Sequence, residues 1–233
     1  FDNELKNLNI KLNSQNSWVL VYESNLSNIG INFSSNFLQE DYLDNNIGRI
    51  NSRGLSGCIS FFKTNFDKTI ITAENLSHEC EDTVNIINST NNISELMING
   101  SYSDALDIDF SNISIDLLKI KNAKNDCADF SKGNYTLGDV FLSNCEDKAI
   151  SIGEQSLFSA NLVSIDYSNI GIASKDSSIS KISNSDIKNS EICVDAYQKK
   201  QEFFGSVISI DKLNCNSLSI RNDKNSKVNL NEL

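Results

Sequence analysis

The chain is expected to be all-β and to fold as a parallel β-helix, a solenoid of about 22 residues per coil. Three observations carry that expectation. Thr83, Ala105, Cys127, Ala149, Gly171 and Cys193 lie 22 residues apart, and each opens a short strand-like phrase: TVNII, ALDID, CADFS, AISIG, GIASK and CVDAY. A period that holds over successive intervals marks one supersecondary unit repeated in every coil. The phrases are rich in β-branched residues and lack helical spacing, and repeats of roughly 20–25 residues of this kind stack as parallel β-helices. The 233 residues include no proline, which suits a chain made mostly of paired strands, where proline would remove a ladder donor.

Taken in order, the elements begin loosely. The chain starts at Phe1 and its first residues already read as strand, so a fragment of a longer protein is expected. SWVLVY (Ser17 to Tyr22), IGINF (Ile29 to Phe33) and GCISFF (Gly57 to Phe62) read as early coils, with Trp18 as a core or cap residue. The stretch 36–54 is long for a turn, and an extended loop on a solenoid often borders a binding face. Residues 80–197 form the regular coils. There Leu106, Ile108 and Phe110 alternate with Ala105, Asp107 and Asp109, which puts the first set inward and the second outward. Val84, Leu106, Ala128, Ile150, Ile172 and Val194 form one inward column. Ile86, Ile108, Phe130, Ile152, Ser174 and Ala196 form the next. A second sheet follows in each coil, with Ile93, Ile115 and Leu137 in one column, Leu96, Leu118, Val140 and Leu162 in another, and Ile98, Ile120 and Leu142 in a third. QKKQEFFG breaks the pattern after Tyr197, SVISIDKL resumes it, and the tail within 198–233 is a last coil or a frayed end. A single domain, 1–233, is expected.

The net charge of −11 supplies no basic face for nucleic acid and disfavours anionic membranes. No stretch is long and apolar enough to insert into a bilayer. The charge suits cations, neutral glycans or simple solubility. The abundant Asn and Ser suit tight turns, and an AT-rich genome would give the same bias. None of the six cysteines has CxxC spacing, which argues against zinc. Cys58 and Cys80, like Cys193 and Cys215, are 22 apart, as expected for neighbours in adjacent coils within disulfide reach. Buried free thiols are an equal alternative, because Cys127 and Cys145 do not share a column. His78, in NLSHECED, reads as a surface residue.

The outward face of the first sheet carries the candidate chemistry. The small column from Thr83 to Cys193 is expected to floor a shallow groove. Beside it run Asn85, Asp107, Asp129, Ser151, Ala173 and Asp195, then Ile87, Asp109, Ser131, Gly153, Lys175 and Tyr197. Just before the strand come Asp82, Asp104, Asp126 and Lys148. Coils stack about 4.8 Å apart, so neighbouring carboxylates repel and at least one pKa rises unless a cation intervenes. Asp104, Asp126 and Lys148 are the candidate acid, base and proton-abstracting groups. Asp107, Asp129, Lys175, Tyr197 and Lys199 are candidate glycan contacts. Asp82, Asp104 and Asp126 are candidate Ca²⁺ ligands, with no cofactor as the alternative. Any one of these residues can instead line a solvated turn, with Lys148 and Lys175 as charge partners, a reading that is weaker for the set because three aspartates and a lysine share one column. Tyr197 can stack on a sugar or cap the solenoid.

The runs YSDALD (Tyr102 to Asp107), NDCADF (Asn125 to Phe130) and DKAISIGE (Asp147 to Glu154) resemble the active-site coils of polygalacturonase-type glycoside hydrolases, which are right-handed parallel β-helices of the pectin-lyase-like class. The resemblance places Asp104 at the first catalytic aspartate and Asp126 at the second of the following pair. Asn125 stands where the family has the other member of that pair, and Lys148 stands where it has histidine. The phrases SDALDIDFS, NDCADFSKG, DKAISIGEQS, GIASKDSS and AYQKKQEF resemble more closely the β-helix segments of bacterial proteins that carry CotH-like or lamin-tail-like domains. That resemblance implies a right-handed β-helix, in agreement with the hand of parallel crossovers, and an extracellular or cell-surface location. The leading expectation is a domain that binds or processes a polysaccharide or surface glycan. A non-enzymatic stalk, adhesin or tailspike-like module is the alternative, and a Ca²⁺-braced solenoid a third. Oligomeric state is left open.

Overall fold

Hydrophobic columns that recur once per coil can be buried only if successive coils lie in register, and the backbone obeys this. In the computed structural model of the chain, residues 6–14, 17–35, 54–76, 78–216 and 219–232 are described. The expected loop at 36–54 lies, apart from Gly54, outside them. Every strand pairing among the described residues is parallel. The result is an all-β parallel solenoid of about nine turns with about 22 residues per turn.

The first sheet contains β2 (Val19–Tyr22), β5 (Gly57–Phe62), β7 (Asp82–Ile87), β9 (Asp104–Asp109) and β11 (Ala128–Ser131). It continues through the later halves of β12 (Asn134–Gly153), β13 (Leu157–Lys175) and β14 (Ile179–Tyr197) to β16 (Ile220–Asn222). The rest of each coil stacks β1 (Lys6–Leu12), β4 (Ile29–Ser35), β6 (Asn65–Asn75), β8 (Thr90–Ser101) and β10 (Asn112–Ala123). The stack runs on through the first halves of β12 to β14 to β15 (Val207–Cys215) and β17 (Lys227–Glu232). The short β3 (Asn25–Ser27) pairs with β6. Within the tail, β16 and β17 pair in register with the strands before them.

The inward columns are as the sequence predicts: Val84, Leu106, Ala128, Ile150, Ile172 and Val194 are all buried, as are Ile86, Ile108, Phe130, Ile152, Ser174 and Ala196. Three expectations are corrected. Thr83, Ala105, Cys127, Ala149 and Cys193 are fully buried rather than outward, the last four within the core cluster. The chain turns a corner there, so two consecutive residues face inward and the alternation restarts. Phe110 is half exposed, because at φ 50° its backbone is left-handed and throws the ring outward. Leu162 pairs with Asp139, while Val163 takes the place beside Val140. Glu154 and Gln155 are both left-handed and add one residue to that turn. A register shift between Cys145 and Lys148 then restores the first-sheet spacing.

Two columns of left-handed residues turn the coils. One holds Glu23, Lys63, Asn88, Phe110, Lys132, Glu154 and Asp176; the other holds Gly100, Asn122, Asn144, Tyr167 and Asn189. Asparagine tolerates this region and adds a side-chain ladder, with Asn144 Nδ2 donating to Asn122 Oδ1 at 3.0 Å and Asn122 Nδ2 to Asn99 Oδ1 at 2.9 Å. Tyr167 is the poorest fit to its column, since a left-handed backbone costs a bulky residue roughly 1–2 kcal/mol. Its ring is largely exposed. Tyr167→Asn is therefore expected to stabilise the protein by about 1 kcal/mol. A urea midpoint that does not rise would refute this.

All six cysteines are paired, Cys58–Cys80, Cys127–Cys145 and Cys193–Cys215. The spacing argument finds two of these partnerships for the wrong reason. Stacked neighbours of Cys58 and Cys193 are Thr83 and Ser219, as the flanking register requires. Cys215 pairs in the ladder with Ile187. Each disulfide instead joins the start of one coil to the end of the same coil. Closing loops of this size contributes about 3 kcal/mol each in the chain-entropy account. Three disulfides indicate an oxidising, extracellular-type environment. Among the described residues no helix is long and apolar enough to cross a membrane.

Candidate functional site

The corner residue and the residues that alternate with the core columns along each first-sheet strand form three parallel columns on one face, in which Asp82, Asn85, Asp126, Ser151, Ala173, Lys175 and Asp195 are buried and Asp107, Asp109 and Asp129 half-buried. The corner column is Asp82, Asp104, Asp126, Lys148, Ile170 and Ile192, the middle one Asn85, Asp107, Asp129, Ser151, Ala173 and Asp195, and the third Ile87, Asp109, Ser131, Gly153, Lys175 and Tyr197. The structure thus gathers on one face every sequence-predicted site residue except Lys199. That lysine is exposed, and its backbone N–H donates to Asp176 Oδ1 at 2.7 Å. Its neighbour Lys200 pairs with Glu154 across the turn. Among the described residues the small column floors no groove, because Ala105, Cys127, Ala149 and Cys193 lie in the core.

The corner column is a ladder between coils. Asp104 Oδ1 accepts from the Asp126 backbone N–H at 2.9 Å and from Asn125 Nδ2 at 2.7 Å. Asp126 Oδ1 accepts from the Lys148 backbone N–H at 3.0 Å and from Lys148 Nζ at 3.2 Å. Lys148 also pairs with Asp147, and Ser56 Oγ donates to Asp82. Burial pushes the Asp126 carboxyl up to about 6, since the lowering effect of Lys148 is smaller than the desolvation. Asp104 is raised for the same reason, and Asp82, deeper still, is raised well above the usual range with Asp104 adding to the effect. Burial alone would lower Lys148, but Asp126 and Asp147 outweigh it and its pKa is raised.

The other two columns are wired differently. Asp107 Oδ2 accepts from Asn85 Nδ2 at 2.9 Å. Desolvation, then the charges of Asp82, Asp109 and Asp129, hold Asp107 well above the usual range. Asp109, hydrogen-bonded to Asp107, is raised to about 6 by desolvation and then by Asp129 and Glu154. Lys175 crosses the bare surface of Gly153, where an added Cβ would sit 2.8 Å from Lys175 Cε. Its ammonium thereby donates to Ser151 Oγ at 2.7 Å and lies 3.5 Å from Asp129 Oδ2. The other oxygen of Asp129 is buried without a hydrogen-bond partner.

Towards the later coils the same face turns apolar. Ile170, Ala173 and Ile192 cluster there, with Tyr197 packed against them, and burial raises the Tyr197 phenol. Beyond them Arg221 Nη2 donates to Asp195 Oδ2 at 2.6 Å. Asp109 was legible as a site residue from its i, i+2 spacing to Asp107, whereas nothing in the sequence marked the Arg221–Asp195 pair. A separate depression lined by Asn122, Lys124, Asn144, Glu146 and Tyr167 lies at another corner and shares no residue with this face. Comparisons with protein-family models, curated proteins and solved structures returned no match for the chain.

Proposed function

We propose that the chain is a polysaccharide-binding β-helix of the extracellular or cell-surface kind, right-handed and pectin-lyase-like, whose glycan lies along the outer face of the first sheet. The observation that carries this reading is the trio Asp107, Asp109 and Asp129. Their carboxyl groups engage side chains rather than backbone N–H groups, so sugar hydroxyls can replace those partners without unfolding a coil. Burial raises Asp107 and Asp109, and a protonated carboxyl group both donates to and accepts from hydroxyls; a neutral polymer meets no repulsion from an acidic face. Tyr197, with Ile170 and Ile192, offers an apolar platform for the face of a sugar ring.

If the site processes its glycan, Asp109, raised to about 6, is the proton donor, and Asp129, with Lys175 Nζ 3.5 Å from its Oδ2, is the second carboxyl group of the pair. Asp104, Asp126 and Lys148 then serve the fold, since two of them bind the backbone of the next coil. That same capping favours a second reading, a structural stalk or adhesin whose acidic face only braces coils. In neither reading does Ca²⁺ carry the argument, because Asp126 is already met by Lys148.

A thermal-shift screen against neutral and acidic polysaccharides, with and without chelator, separates the two. The expected result is stabilisation by a neutral glycan that Asp129→Asn abolishes while the free variant keeps a single cooperative melting transition. Absence of a shift with any glycan, or a shift unchanged in Asp129→Asn, would favour the structural reading.

A further inference from the structure

The only histidine of the chain, expected at the surface, is buried. Its ring is held at both ends: Nε2 lies 2.8 Å from the Ser17 carbonyl oxygen, and Nδ1 lies 2.8 Å from Cys80 Sγ. A carbonyl oxygen only accepts, so in the neutral ring Nε2 carries the proton and Nδ1 turns its lone pair to the sulfur. One imidazole nitrogen fixed by a carbonyl while the other faces a ligand position is the arrangement that orients histidines in metal sites. Cys58 Sγ, Cys80 Sγ and His78 Nδ1 all lie within 4.8 Å of one another, and all three residues are buried. Asn75 completes the surroundings, with Oδ1 accepting from the His78 backbone N–H at 2.9 Å and Nδ2 lying 3.6 Å from Cys58 Sγ. An amide N–H aimed at sulfur stabilises a thiolate.

We propose that this cluster is a redox-gated site for a borderline-soft divalent cation of the Zn²⁺ class, closed by the Cys58–Cys80 disulfide and opened by a dithiol reductant. In the opening step the reductant's two S–H bonds break and its own S–S bond forms. The Cys58–Cys80 bond breaks and two S–H bonds form in its place. The cation then displaces the two thiol protons to solvent and is bound by two thiolates and one imidazole, with water in the fourth position. Thiolate sulfurs on a tetrahedral Zn²⁺ lie about 3.8 Å apart, from Zn–S bonds of about 2.3 Å, and Cα atoms 5.4 Å apart allow that separation by side-chain rotation. The ligands come from the start and the end of one coil, which is why no CxxC spacing announces them. The other two disulfides have no histidine beside them, so the site is specific to this coil. The proposal is independent of the glycan reading.

The test compares the full chain with Cys58→Ser/Cys80→Ser and His78→Ala, each reduced with a phosphine that does not compete as a thiol ligand. The chains are loaded with Zn²⁺ or Co²⁺ and dialysed, with far-UV circular dichroism recorded throughout. The expected result is one more Zn²⁺ per reduced wild-type chain than per Cys58→Ser/Cys80→Ser chain, and no such excess in the oxidised protein. The Co²⁺ form should show thiolate charge-transfer bands, and His78→Ala should bind at least about tenfold more weakly, since even outer-shell losses cost that much. Equal metal content in wild type and the double variant, full affinity in His78→Ala, or a reduced chain that lacks strand structure with and without Zn²⁺ would each overturn the proposal.

Discussion

Phe130→Ala is expected to destabilise the protein by about 4 kcal/mol, within the range for removing a buried phenylalanine ring. Phe130 is fully buried and stands between Ile108 and Ile152 in its column. Its ring lies 5.1 Å from that of Tyr135 and 5.2 Å from that of Phe158. Tyr135 is in turn anchored, donating to the Ile108 carbonyl at 2.9 Å and the Ser131 carbonyl at 2.7 Å, so it cannot swing in to fill the space. Neighbouring coils are locked by the ladder at a fixed rise and cannot collapse on the cavity. Urea denaturation should show the loss, with Phe130→Leu costing clearly less. A loss below about 1.5 kcal/mol would mean that the coils relax more freely than the ladder implies.

Lys148→Ala should cost little near pH 5 and about 2–3 kcal/mol near pH 8, as for breaking a largely buried ion pair. The sign follows from Asp126. Its carboxyl is raised in the folded protein from 3.8 to about 6. A raised carboxyl stabilises the fold most when protonated, so its contribution is complete below 3.8 and is lost as pH rises through about 6. Without Lys148, which lowers that pKa, the loss continues to higher pH. Asp109, also raised to about 6, acts in the same direction, so the wild type itself should melt several degrees higher at pH 5 than at pH 7.5. Melting curves across this range check both statements. A wild-type melting temperature that falls on acidification, or a Lys148→Ala penalty independent of pH, would rule out the assignment.

The repeat was legible because parallel pairing forces a nearly constant residue count on every coil, and the interior columns of the first sheet followed from it. What failed was parity at the corners. Alternation assumes extended backbone, and the left-handed residues that turn each coil break it, so Ala105 moved inward and Phe110 outward. Leu162 left its column because one turn holds an extra left-handed residue. Cys127–Cys145 could not be found by period, being 18 residues apart. The candidate face was legible as columns, since Asp107 and Asp129 must stack if the period is right. The reach of Lys175 back to Asp129 was not, because it depends on the missing side chain of Gly153. The burial of His78 depends on Ser17, 61 residues away in the chain, a contact without local signature.

Because the disulfides fasten coils to themselves and not to one another, they protect against fraying within a turn but leave the seams between turns to ladder hydrogen bonds, stacked core columns and ion pairs between coils. Pulled from its two ends, the solenoid should unspool turn by turn. Three of the released turns should come away as knotted-off loops, each withholding the residues between its cysteines from the extended length. In a single-molecule stretching trace those turns would appear as shortened steps, and a reducing buffer would lengthen them without changing the order in which the seams part.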